Sequence, residues 1–258
     1  MFRVLLTAPL VLLGLALVFR AGTLPTAAAI GEGTSVDLRG VLLPGRESEP
    51  RPTARRRLAW EVRKRTSVET LLQPTTVRLD DPRVFDSPFL YFGGDQEFPP
   101  LAEAHVTGLR RFVEFGGFVL IDDVAPERGG FDRAVRRLLS RAFPDRRLNR
   151  LSATHTIYRS FYLLERPLGR TEGPDYLEVL ERSGRVSLVY SRHDLAGAWA
   201  RDNLGTFLHD VRPGGAQQRE YAYRLGVNLV MYALCLDYKD DQVHVPFILR
   251  RRGGGRGR

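Results

Sequence analysis

Three short stretches of this chain carry side chains able to do chemistry: Gly93-Gly94-Asp95, Asp122-Asp123 and Ser191-Arg192-His193-Asp194. Carboxylates grouped in this way hold divalent cations through oxygen, bind the hydroxyls of a sugar, or work as general acid and base. The plain structural alternative is that Asp122 and Asp123 cap the following turn and pair with arginines such as Arg128 or Arg133. Ser191 with His193 or His155 can be drawn as a hydrolase pair, but no Gly-x-Ser-x-Gly surrounds Ser191. The position after a buried strand, where α/β enzymes present a nucleophile, holds Asp122 and Asp123 instead. Cys235, the single cysteine, lies far downstream in an apolar stretch and reads as a small core residue, which excludes a cysteine amidotransferase. The histidines at 105, 155, 193, 209 and 244 lack zinc-ligand spacing, and Gly93-Gly94 is too short for a nucleotide-phosphate loop. The ligand-binding set expected is therefore Gly94, Asp95, Asp122, Asp123, Ser191, Arg192 and Asp194, with no catalytic residue, metal or cofactor assigned.

A mainly parallel sheet is what would bring these residues together. Phe118 to Ile121 is apolar without alternation, as in a strand buried on both faces, and it follows Gly116-Gly117, which ends a helix carrying Leu101, Val106, Leu109, Phe112 and Val113. Pro88 to Phe92 precedes that helix as another doubly apolar strand. A strand, helix and strand joined by short loops make a parallel crossover, so Asp95 and Asp122 are expected as neighbours at one sheet edge. In open parallel sheets that carboxyl edge is where ligands bind.

The remaining elements follow the same logic. Ser35 to Leu43 and Thr75 to Leu79 read as strands, and a helix from about Thr53 buries Leu58, Ala59 and Val62. Phe131, Ala134, Val135, Leu138, Leu139, Ala142 and Phe143 fall on one helical face that Pro144 ends. Leu148 to Leu164 is mixed, and its Tyr158, Phe161 and Tyr162 are expected to pack against the sheet. Tyr176 to Leu180 and Val186 to Tyr190 form a hairpin or two successive strands across Ser183-Gly184, followed by a polar loop through Pro213-Gly214-Gly215. Gln217 to Leu236 is the last helix, and Val243 to Leu249 a final edge strand. The sum is an α/β fold: three layers, doubly wound, with helices on both faces of a mainly parallel sheet.

The chain has 258 residues and a formal net charge of +9, with Lys64 and Lys239 its only lysines. Arginines concentrate in Arg51 to Arg65 and in Arg250 to Arg258, so the excess is terminal and arginine-biased and implies no specific nucleic-acid partner. Arg3, the apolar run Val4 to Phe19 and Ala27-Ala28-Ala29 read as an export signal cleaved after Ala29. The run is shorter than the ~20 residues of a spanning helix; an uncleaved anchor, the only membrane contact expected, is the alternative. The organisation expected is a signal over 1–29, one α/β domain over 30–249 and a disordered Arg/Gly-rich tail over 250–258.

Pro88-Phe89-Leu90-Tyr91, the segment Gly116 to Asp123, Phe131-Asp132-Arg133, the segment His155 to Tyr162 and the segment Leu225 to Leu234 together resemble the bacterial domain-of-unknown-function family 4159. The resemblance runs from about Val36 to Leu249. It implies a layout like class I amidotransferase-like or flavodoxin-like folds, with Asp122 standing where the nucleophile would be. It also implies von Willebrand A-type and AAA-type ATPase partners in the cell envelope. The function expected is an exported, periplasmic or membrane-anchored domain that binds a carbohydrate, another small molecule or a partner without catalysis. The alternatives are a hydrolase of carbohydrate or another envelope polymer acting through carboxylates, and a membrane-tethered structural subunit.

Overall fold

The computed structural model describes residues 35–253, with side chains through residue 235. The expected export segment over 1–29 and residues 254–258 of the tail lie outside the described residues. In chain order the elements are β1 (Arg39–Val41), α1 (Ala54–Arg65), β2 (Thr76–Val77), β3 (Phe89–Gly94), α2 (Glu103–Glu114), β4 (Phe118–Asp123), α3 (Gly130–Ala142), β5 (Asn149–Arg150), β6 (Glu178–Arg182), β7 (Arg185–Ser191), α4 (Leu195–Trp199) and α5 (Gly215–Gly253). Among the described residues no helix is long and apolar enough to cross a membrane.

The strands form one seven-stranded sheet in the order β2-β1-β3-β4-β7-β6-β5. Strands β2, β1, β3, β4 and β7 run parallel, and β6 and β5 close one side antiparallel. The central pair is in full register from Phe89 opposite Phe118 to Gly94 opposite Asp123. This is the parallel crossover that the two apolar runs around α2 imply.

Side chains alternate across a strand, so each central strand feeds two cores. Phe89, Tyr91, Phe118 and Leu120 join a core with α1, α4 and α5. Leu90, Phe92, Val119 and Ile121 join a second with α2 and α3. Every residue of β3 and β4 is buried, and full burial of one such large apolar side chain contributes about 1.5–3 kcal/mol. Gly116 ends α2 with φ 94°, a left-handed backbone that favours glycine. At Gly117 a Cβ would lie 2.4 Å from the Phe112 ring. The Gly-Gly pair therefore turns the chain from α2 into β4, with no room for a side chain at Gly117.

Three elements differ from the sequence expectation. Residues 243–249 continue the helical backbone of α5 rather than forming an edge strand. A short apolar run supplies no partner strand, whereas extending an established helix adds a hydrogen bond for each residue fixed other than Pro246. Cys235 is exposed on α5 rather than buried, because Leu229, Val230 and Ala233 define the packed face. The stretch after Ser191-Arg192-His193-Asp194, expected as a polar loop, begins with α4, whose residues Leu195 to Trp199 are all buried.

Candidate functional site

Alternation along β4 decides where its acids go. Asp122 continues the series Phe118, Leu120 and faces the α1, α4, α5 core, where it is fully buried. Its carboxylate accepts the backbone N–H groups of Leu195 at 3.0 Å and Ala196 at 2.8 Å, and the Tyr91 hydroxyl at 3.2 Å. Burial, with the charge of Asp194 added, raises its pKa to about 7 against the pull of those donors. Asp122 is thus a pin fixing α4 to the central strand.

Asp123 continues Val119 and Ile121 and turns to the other core. It accepts the Ala125 N–H at 3.0 Å, capping the turn that follows, and lies 3.4 Å from the Tyr190 hydroxyl. That hydroxyl is 3.0 Å from Asp132. Its single proton serves one carboxylate at a time. Burial lifts Asp123 to about 6 against the Ala125 N–H, with the charge of Asp132 adding to the rise. The arginines proposed as partners are engaged elsewhere: Arg133 pairs with Glu97 and Arg128 lies 3.9 Å from Glu127.

The remaining expected residues divide in the same way. Ser191 is buried with its hydroxyl 3.3 Å from His193 Nδ1, and the other ring nitrogen of His193 meets the Pro174 carbonyl at 2.7 Å. The ring is thereby held as the Nε2–H tautomer, and burial lowers its pKa to about 4. This pair ties the segment around Pro174 to the end of β7, sealed from substrate. Arg192 leaves the edge to reach Glu178 at 3.5 Å. Gly94 lies beneath the edge, where a Cβ would fall 1.9 Å from the Phe131 ring.

Asp194 and Asp95 lead to a concavity at this edge. Asp194 has φ 49°, a left-handed backbone that is rare outside glycine. Its buried carboxylate caps α4 through the Gly197 N–H at 2.8 Å and accepts from Arg51 Nη2 at 3.1 Å and from Arg170 Nε. Those two arginines form one wall of a cleft of about 180 Å³. Pro50 accompanies Arg51 from the loop after β1, Asp95 comes from the end of β3, and Val124, Ala125, Glu127 and Arg128 come from the turn after β4. Asp95 is one-third exposed and pairs with Arg46 at 3.3 Å.

The cleft lies where strand order makes an opening. The chain leaves β1 for α1 on one face and leaves adjacent β3 for α2 on the other, so the loops part above the sheet. Such a switch point is the favoured ligand crevice of open parallel sheets. Of the residues expected from the sequence, Asp95 lines the cleft directly and Asp194 shapes it from below. Arg51 and Arg170 were not anticipated, and Arg128 only as a partner of Asp122 or Asp123, since none of the three has a motif around it. The one sequence signal was an arginine-rich segment starting at Arg51. Among the described residues no group of three or more His, Cys, Asp or Glu side chains could hold a metal ion.

No curated protein matches the chain. The family model described as a domain of unknown function, DUF4159, matches residues 41–234, a span that includes every strand from β2 to β7, both acids of β4 and the whole cleft wall. The chain belongs to the DUF4159 family.

Proposed function

We propose that this protein is an exported, non-catalytic α/β domain that binds a ligand or partner through the cleft at the β1/β3 switch point. The observation that carries the reading is the separation of two kinds of polar residue. Asp122, Asp123, Ser191 and His193, four of the groups from which a reaction could be drawn, are all at or below 1 % exposure with protein partners. The groups open to solvent at the strand ends line a preformed, strongly polar cleft. A hydrolase working through carboxylates needs a raised-pKa acid that substrate can touch. Here the acids raised by burial are sealed.

An amidotransferase-like or flavodoxin-like layout fits this reading. The parallel strands taken in chain order stand as 2-1-3-4-5 across the sheet, the order of flavodoxin-like folds, whose ligand crevice is the same β1/β3 position. Export rests on Arg3, the run Val4 to Phe19 and Ala27 to Ala29. N-terminal sequencing of protein recovered from the cell envelope is expected to begin at Ile30, and retention of Met1 there would favour the anchored form.

The test of binding is a thermal-shift and native mass-spectrometry panel of neutral sugars, charged small molecules and von Willebrand A-type or AAA-type ATPase proteins. Ala125→Trp, which fills the cleft, serves as the blocked control. A binder that Ala125→Trp loses supports the reading. Binding that the blocked variant keeps unchanged contradicts it.

A further inference from the structure

We propose that the cleft holds a single oxyanion, the phosphate or carboxylate group of a small molecule, against Arg51 and Arg170. This rests on the binding reading above and names its ligand class. Asp194 is the reason for the assignment. Its left-handed backbone at φ 49° is a local strain of the order of 1–3 kcal/mol that persists only where the surroundings enforce it. The result of that strain is a buried carboxylate that grips two guanidinium groups at once, Arg51 through Nη2 and, at 3.5 Å, Nε, and Arg170 through Nε.

One carboxylate on two arginines leaves a positive charge uncompensated on the cleft wall. The remaining contact of Arg51 is His209 Nε2, 3.0 Å from its Nη1. Burial and the Arg51 charge lower the His209 pKa, so the ring stays neutral and accepts. Arg170 donates to Asp194 through Nε alone among the described residues, and its terminal Nη groups stand on a residue that lines the cleft. Two guanidinium groups fixed beforehand in this way are a preorganised receptor for a planar or tetrahedral oxyanion, with little rotamer entropy left to lose on binding.

The rim sets the limit on charge. Arg128 adds a third cation, exposed and 3.9 Å from Glu127, while Asp95 is answered by Arg46. Taken together, Arg46, Arg51, Arg128 and Arg170 exceed Asp95, Glu127 and Asp194 by one positive charge. That balance matches one oxyanion and leaves too little positive charge to neutralise a polyanion such as nucleic acid. Asp95 and Glu127 remain as acceptors for hydroxyl or amine groups on the rest of the ligand.

The experiment is a titration of the full chain, followed by thermal shift and calorimetry at neutral pH. Sodium phosphate, sodium acetate and sodium chloride are compared at matched ionic strength, with glucose as the neutral probe. A saturable response to phosphate or to acetate beyond chloride is expected, and which of the two responds identifies the source of the oxyanion. Arg170→Gln should weaken the apparent Kd about tenfold or more. Because that change leaves the buried Asp194 with one arginine partner, Arg128→Gln is the second variant; it should weaken the Kd about threefold with Tm unchanged in the absence of ligand. No saturable response to either anion, or one that both variants keep undiminished, overturns the assignment. Should glucose bind while the anions do not, the oxyanion is wrong and the binding cleft stands. Silence from every probe here and from the ligand and partner panel above counts against both.

Discussion

Asp122 and Asp123, consecutive in the chain, turn into opposite cores: Asp122 meets the Ala196 N–H at 2.8 Å on the α4 side, and Asp123 meets Tyr190 at 3.4 Å on the other. Successive residues of a strand point to opposite faces, so the two acids cannot converge on one ligand. Each anchors a different layer of the fold, and the edge between them is left to the loops that build the cleft.

Removing the first anchor should cost stability rather than a reaction. Asp122→Ala leaves the Leu195 and Ala196 N–H groups and the Tyr91 hydroxyl without their acceptor, a loss of about 3 kcal/mol. Asp122→Asn, which keeps one acceptor oxygen, should lose roughly half as much. Urea denaturation near pH 5 measures both, and an unchanged midpoint for Asp122→Ala would rule out the pin.

The same carboxyl predicts a pH dependence with a definite sign. Burial raises Asp122 from 3.8 to about 7, so between those values the folded protein holds a proton that the unfolded chain has released. The stability this contributes is full below the unfolded value and is lost as pH rises through the folded one. His193, lowered to about 4 by burial, acts oppositely, its contribution being lost as pH falls from about 6.5 toward 4. The difference between wild type and Asp122→Asn isolates the first effect. That gap is expected to narrow between about pH 4 and pH 8, and a gap that widens contradicts the assignment.

Ser191 should be inert. Its hydroxyl is fully buried against His193 Nδ1, so a fluorophosphonate probe for activated serines is expected to leave the folded protein unlabelled. Mass spectrometry of the treated protein decides the matter, with a modified Ser191 the result that would revive a hydrolase.

Gly94 should fail as alanine for packing reasons. A Cβ there would sit 1.9 Å from Phe131 Cε2, and forcing such overpacking costs about 1–3 kcal/mol. The loss should appear in thermal melts without ligand. Full stability of Gly94→Ala would mean that α3 shifts freely against β3.

The sheet was legible because its signals are local and redundant. Doubly apolar Phe89 to Phe92 and Phe118 to Ile121, separated by one amphipathic helix with a Gly-Gly stop, admit few arrangements other than a parallel crossover. The acids at its end were legible as positions but not as roles. Period-two alternation already separates Asp122 from Asp123, yet only the presence of α4 shows what Asp122 holds. The signal for α4 was available: Asp194 followed by Leu195-Ala196-Gly197-Ala198-Trp199 is a cap before a short apolar turn. The cleft was not legible, since Arg51 and Arg170 lie far apart in the sequence and meet only through Asp194.

The central claim, that the β1/β3 switch-point cleft is where this protein binds, is tested most directly by an amide NMR titration of the full chain with sodium phosphate against sodium chloride at matched ionic strength. Shifts are expected to concentrate at Arg51, Asp95, Ala125, Arg128 and Arg170. Saturable shifts gathered elsewhere, as on the exposed Leu204 to Leu208 loop, with the cleft amides unmoved, would contradict it.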